Sequence, residues 1–245
     1  MGVILALHGF LGMPQDFQAL QSGFADLKTG YSIVPVDYTN LRGLTPDVGF
    51  DRWGENFNLW AHKNFPNKKK VILGYSQGGR LALHSVAQNP KAWAGAIYLS
   101  TNPGLTSDSE KLARKDGDLR WSQRFQTVDF DRVVKEWNAQ AVFTNSQSEP
   151  TRKGSDFDSG MLAKALIHWS LANQKNFRNI EDVFKIQNLW MAGEFDKKYC
   201  DLVRELEGFD RPVQTAIVEG ASHRLMLDQP IKVAKYLELF LQKLS

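Results

Sequence analysis

Three side chains far apart in the chain have the types and flanking residues that chemistry by an activated hydroxyl requires. Gly74-Tyr75-Ser76-Gln77-Gly78 follows the apolar run Val71-Ile72-Leu73 and precedes a helix-forming stretch over 80–87. A serine in a strand-to-helix turn this tight needs small residues two positions to either side, and glycine stands at both. A serine hydroxyl becomes reactive only when an imidazole takes its proton, and the imidazole needs a carboxylate on its other nitrogen. Asp196 comes just after the apolar run 189–192, in Gly193-Glu194-Phe195-Asp196, and His223 just after the run 213–218, in Gly220-Ala221-Ser222-His223. Alone, such an Asp is usually a turn former and such a His usually structural. Their joint placement after successive strands, in the order Ser, Asp, His, favours the catalytic reading.

The charge that develops on a substrate oxygen needs backbone donors. Gln77, directly after the serine, supplies one N–H, and Phe10 in His8-Gly9-Phe10-Leu11-Gly12 supplies the other. Losing one such donor lowers the rate by about a hundred- to a thousand-fold. His8 is read as a brace for that loop. Arg80 lies one helical turn beyond Ser76 and can reach a carboxylate beside the hydroxyl. Lys111, Arg114, Asp118, Trp121 and Phe125 form a second stripe at helical spacing, basic and aromatic side by side. A hydrogen bond to a charged group contributes about 1.5–3 kcal/mol, enough for two arginines to favour acids over esters. The alternative is a surface Arg80 and an Arg114–Asp118 pair that only stabilises its helix.

The elements that must carry these groups are legible as short apolar runs at 3–7, 32–36, 70–73, 95–99, 189–192 and 213–218, separated by helical stretches. That is the pattern of an α/β protein with a mostly parallel sheet covered by helices on both faces. The distance between the fourth and fifth runs exceeds any ordinary crossover. Residues 104–185 are therefore read as an inserted helical lid, and 1–103 with 186–245 as the core. The insertion carries Trp121, Phe125, Trp137, Phe143, Trp169 and Phe177, with a Gly/Ser/Asp-rich break at 154–160.

Composition sets limits around this reading. A net charge of +3 is too small and too scattered for a nucleic-acid or membrane partner, and the Lys68-Lys69-Lys70 run reads as a solvated turn. The one cysteine, Cys200, rules out an internal disulfide. The apolar opening residues lack a basic leader and meet His8-Gly9 early, as a buried strand does and a signal peptide does not. No apolar run approaches a membrane span. Cytoplasmic residence follows as the expectation, with no metal or organic cofactor.

Several further segments give the chain a family likeness. Leu7-His8-Gly9-Phe10-Leu11-Gly12, Gly74-Tyr75-Ser76-Gln77-Gly78-Gly79-Arg80, Asn102-Pro103-Gly104-Leu105, the lid pattern Arg114, Asp118, Trp121, Phe125, then Trp137, and Gly193-Glu194-Phe195-Asp196-Lys197-Lys198 resemble the 2-succinyl-6-hydroxy-2,4-cyclohexadiene-1-carboxylate synthases of menaquinone biosynthesis over nearly the whole chain. The resemblance implies an α/β-hydrolase fold used by a lyase, which removes pyruvate from a polycarboxylate intermediate to give a cyclic diene. It implies that Ser76, deprotonated through His223, takes a proton next to a carbonyl, and that Tyr75, Arg80, Arg114 and Trp137 contact a small carboxylated substrate. The chain departs from the family at four places. Asp158 stands where a third lid arginine is expected, with Arg152 able to serve only if the loop is rearranged. Asn102 replaces the usual His before Pro-Gly-Leu, Ser222 stands where Gly commonly precedes the histidine, and Leu227 stands where some members carry a further His. The alternatives are an esterase or carbon–carbon hydrolase of the same fold, and a non-catalytic ligand-binding protein.

Overall fold

The structure of the chain, a computed structural model, describes residues 1–208 and 213–244. Each apolar run is a strand: β1 (Gly2–Leu7), β2 (Tyr31–Val36), β3 (Lys70–Tyr75), β4 (Gly95–Leu99), β5 (Gln187–Gly193) and β6 (Val213–Val218). They form one six-stranded sheet in the order β2-β1-β3-β4-β5-β6, with every neighbouring pair parallel. The inner strands read as unbroken apolar runs because helices cover both faces, so neither set of alternating side chains meets water. Leu5, Ile72, Tyr98 and Trp190 point into one core, whereas Ile4, Leu73, Ile97 and Met191 point into the other.

The helices are α1 (Gln18–Ala25), α2 (Phe50–Asn64), α3 (Gln77–Gln88), α4 (Asp108–Thr127), α5 (Phe130–Asn138), α6 (Ser159–His168), α7 (Glu181–Phe184), α8 (Lys197–Glu207), α9 (Leu225–Asp228) and α10 (Pro230–Gln242). On one face α2, α3 and α8 build the first core, and α2 contributes Trp53, Phe57 and Ala61 at four-residue spacing. On the other face α1, α9 and α10 build the second.

The segment between β4 and β5 divides physically. Its first part builds a small third core of Leu11, Phe125, Val133 and Leu166, with Phe10, Trp121 and Trp137 packed against it. This core rests on the loop that follows β1. Trp169 and Phe177, further along the same segment, pack instead into the sheet's own core. α4 has almost no apolar face, burying only Asp118, Ser122 and Phe125. Its start is fixed by a capping box in which Ser107 Oγ accepts from the Glu110 N–H and the Ser107 N–H donates to the Glu110 carboxylate. Among the described residues no helix is long and apolar enough to cross a membrane.

α3 is buried from Gln77 to Val86, and its His84 makes the fold sensitive to acid. The imidazole is 2% exposed, stacks on Phe50 at 4.4 Å and pairs through Nδ1 with Asp51 at 2.8 Å, while Nε2 has no partner among the described residues. Burial outweighs the attraction of Asp51 and pushes the pKa down to about 4. Because the folded value lies below the ordinary value of about 6.5, the unfolded chain takes up a proton first. The stabilisation is complete above pH 6.5 and is lost as pH falls toward 4, on the order of 3 kcal/mol in all. Urea unfolding at pH 7 and pH 4.5 checks this: the acid-induced loss should be at least about 1.5 kcal/mol smaller in His84→Gln than in the wild type.

Candidate active site

The turn between β3 and α3 holds Ser76 at φ 51 and ψ −109, a strained conformation for a residue with a side chain. Close packing forces the turn. A Cβ on Gly74 would lie 2.4 Å from Gly79 Cα, and one on Gly78 would lie 2.3 Å from the Leu7 carbonyl oxygen. β3 therefore passes into α3 with its serine lifted at the C-terminal edge of the sheet. The Ser76 N–H donates to the Leu99 carbonyl at 2.9 Å, and the Ser76 carbonyl accepts from the Arg80 N–H at 3.1 Å.

The loops after β5 and β6 bring two partners to that serine. His223 Nε2 lies 3.2 Å from Ser76 Oγ, and His223 Nδ1 lies 2.6 Å from Asp196 Oδ2. Asp196 and His223 are buried. An Nδ1–H donated to the carboxylate leaves the Nε2 lone pair facing the hydroxyl, the arrangement in which imidazole can accept the serine proton. The imidazole is walled by Tyr199 at 4.7 Å and by Tyr75 and Phe143, each at 5.6 Å. With both partners buried, the Nδ1 contact is made away from water and is the stronger for it.

Two backbone N–H groups in the neighbouring loops are without acceptors among the described residues. Among the described residues the N–H groups of Phe10 and Gln77 donate to no protein group. Gln77 is the first residue of α3, so its N–H is one of the helix's unpaired donors. The Phe10 loop is held by a turn with Leu11 at φ 54 and by the Gly12 N–H bonded to the Gly9 carbonyl at 3.0 Å. His8 braces it: Nδ1 bonds the Gly9 carbonyl at 2.9 Å, the ring stacks on Tyr38 at 4.4 Å, and the His8 carbonyl accepts from the Tyr38 hydroxyl. Burial lowers the His8 pKa, which keeps the brace neutral.

Arg80 is buried rather than on the surface; its guanidinium donates to the Trp169 carbonyl at 2.5 Å and lies over the Phe50 ring. Burial and then the nearby charge of Arg114 pull its pKa down to about 10, so it stays cationic at neutral pH. Arg114 Nε donates to Asp118 at 2.8 Å, so the helix pair weighed in the sequence is present. Burial and then the charge of Asp196 push the Tyr199 pKa up, against the pull of Arg114 and Arg80, and its ring meets that of His223 edge-on.

The cavity at Ser76 has a different wall. Tyr75, Trp137, Phe143, Arg152 and Arg224 line it. Trp137 packs on Phe10 at 4.6 Å and on Trp121 at 5.0 Å. Arg152 reaches it across the chain and pairs with buried Asp16 at 2.6 Å. Arg224 went unread in the sequence, where its only signal was its place directly after His223.

The departures from the resembled pattern also have local roles. Asp158 caps α6, accepting from the Met161 N–H at 2.8 Å. Asn102 Oδ1 accepts from the N–H of Gly104, a residue at φ 133 that few side chains tolerate. Ser222 donates its N–H and its hydroxyl to Asp228 Oδ2, and Asp228 Oδ1 in turn accepts from Ser146 Oγ and from the N–H groups of Gln147 and Ser148. Leu227 lines the Ser76 cavity.

Comparison with known proteins agrees with this architecture. The pattern of the alpha/beta hydrolase family matches residues 4–236. The 2-succinyl-6-hydroxy-2,4-cyclohexadiene-1-carboxylate synthase of Escherichia coli is 26% identical over 236 residues, covering 94% of this chain and 90% of that protein. The protein of the same name from Citrobacter koseri is 27% identical over 245 residues, covering 98% and 93%. Among solved structures, MenH from S. aureus superposes with a TM-score of 0.85 at 19% identity, covering 99% of this chain and 94% of that one. The esterase EaEST from Exiguobacterium antarcticum does so with a TM-score of 0.72 at 16% identity, covering 99% and 92%. At those identities both structures speak for the fold alone.

Proposed function

The chain belongs to the alpha/beta hydrolase family, and from that premise we propose that it is a serine-dependent lyase that eliminates pyruvate from a polycarboxylate intermediate of menaquinone biosynthesis, as the resemblance to the synthases implies. The observation that carries the reading is the hydrogen-bonded series Ser76–His223–Asp196 at a cavity that the buried Arg224 lines. A neutral ester gives the Arg224 guanidinium at that cavity no partner. Likeness to proteins named as synthases over nearly the full length supports the same reading.

In this mechanism Asp196 holds the His223 imidazole with Nε2 on Ser76, and Nε2 takes the serine proton. The serine oxygen then removes the proton from the carbon beside a substrate carbonyl, and the C–H electron pair moves toward that carbonyl. Its oxygen becomes an enolate held by the N–H groups of Phe10 and Gln77. Collapse of the enolate forms the new double bond as the bond to the pyruvate unit breaks. The departing group carries off that electron pair and takes up the proton held on His223. Arg80 and Arg114 supply the positive field that favours a substrate with several carboxylates. An esterase or carbon–carbon hydrolase would use the same three side chains and the same donors, with water attacking an acyl group.

The two separate in one assay. Incubated with the menaquinone-pathway intermediate, the protein should release one pyruvate per substrate consumed, followed through a coupled dehydrogenase, and should turn over p-nitrophenyl esters poorly. Ester turnover blocked by a serine-directed phosphonate, with no pyruvate released, removes the lyase reading in favour of a hydrolase. No activity on either substrate would favour a protein that only binds its ligand.

A further inference from the structure

The Ser76 cavity contains a buried cation with no directly paired carboxylate; the charge of Glu149 reaches it only through Asn138, which bonds both. Arg224 is 6% exposed, and among the described residues no carboxylate lies within ion-pair distance of its guanidinium. Its direct partners are neutral: Nη1 donates to the Ser148 carbonyl at 3.2 Å, Nη2 donates to Asn138 Oδ1 at 2.6 Å, and the group sits over the Phe143 ring at 4.2 Å. The Nε–H and a second hydrogen on each Nη are left without a protein acceptor among the described residues. Asp228, the nearest carboxylate in sequence, is occupied by Ser222, Ser146, Gln147 and Ser148. Arg152, the other arginine of this wall, is neutralised by Asp16. The charged residues lining the cavity are therefore a closed pair and one cation without a direct ion pair.

A buried guanidinium left unpaired is costly, and a ligand carboxylate is the group that completes its planar fork. The free space of about 60 Å³ at this wall, roughly that of two waters, suits one such group, with Trp137 and Phe143 flanking it. The geometry points to Arg224 as the binding residue for one carboxylate of the substrate, on a wall of the site distinct from that of Arg80 and Arg114. This assignment rests on the polycarboxylate reading of the site, and it adds a subsite that the sequence pattern alone did not suggest.

The test uses the full chain with benzoate as the probe and benzamide as its uncharged counterpart, titrated by calorimetry. Benzoate is expected to bind the wild type at least ten times more tightly than benzamide. Arg224→Gln removes the charge while leaving a polar side chain, and should lose that preference while the variant still melts cooperatively. Arg224→Lys should keep most of it. A glutamine variant that still prefers benzoate, or a wild type that binds both probes equally, overturns the proposal. A readout in the wild type decides the matter even where the glutamine variant does not fold: the Arg224 Nε–H resonance, assigned by its absence from Arg224→Lys, must shift as benzoate is added, and a stationary resonance at saturation overturns the assignment. None of these measurements involves turnover, so a wild type that binds benzoate but releases no pyruvate sinks the lyase reading and leaves this subsite standing.

Discussion

Alanine at position 76 is expected to reduce pyruvate release by about ten-thousand-fold or more while leaving the fold intact. The hydroxyl is the atom that His223 Nε2 contacts at 3.2 Å, and without it the imidazole has no oxygen to activate. Groups that act as a unit lose nearly all their effect when one is removed, and the residual rate comes from binding and backbone donors. Stability should change by no more than about 1 kcal/mol, because the Cβ and the packing around it are retained. Single-turnover pyruvate assays with matched thermal melts check both halves. A variant that keeps more than a hundredth of the wild-type rate would remove Ser76 from the mechanism.

The second large effect is expected at a residue that carries no chemistry. Gly193 closes β5 where the loop leading to His223 crosses it, and a Cβ there would lie 2.1 Å from the Ser222 carbonyl oxygen and 2.6 Å from Ala221 C. These are backbone atoms that no rotamer change can move. The Gly193 carbonyl also accepts from the Asp196 N–H at 2.9 Å and from Cys200 Sγ. Gly193→Ala must therefore push the His223 loop away from the Asp196 turn, opening a contact that now measures 2.6 Å. A displacement of about 1 Å lowers turnover by roughly a hundred-fold, and forcing a methyl into a packed site costs about 3 kcal/mol or more. Denaturant unfolding together with kcat measurement tests this. A variant with wild-type stability and rate would mean that the two loops are not held as closely as described.

The strands were readable because a parallel sheet buried on both faces leaves a plain mark, an apolar run of four to six residues between turn formers. Their ends were read short where the chain stays extended beyond the apolar stretch, as at Gly74 and Tyr75 in β3. Ser76, Asp196 and His223 were readable because each sits within a few residues of a strand end, so knowing the strands placed the side chains. Arginines obey no such rule. Helical spacing set the Arg80 backbone one turn from the serine, but the bond to Trp169 joins residues 89 apart in sequence, and nothing local foretells where a long side chain ends. The pairing of Arg152 with Asp16, across 136 residues, was hidden for the same reason. Arg224 was hidden differently. Its character lies in the absence of a charged partner, and that can be seen only when its neighbours are all in place.

β4 and β5 lie side by side in the sheet although the whole segment from Leu99 to Gln187 separates them in the chain. Closing a loop becomes harder only with the logarithm of its length, by about 0.6 kcal/mol per doubling. The entropic burden of an excursion this long, set against an ordinary crossover, is thus on the order of 1 kcal/mol. The pairing of these strands is nearly indifferent to what is spliced between them. The segment between them can be lengthened, shortened or rewritten while the sheet beneath goes on folding as before.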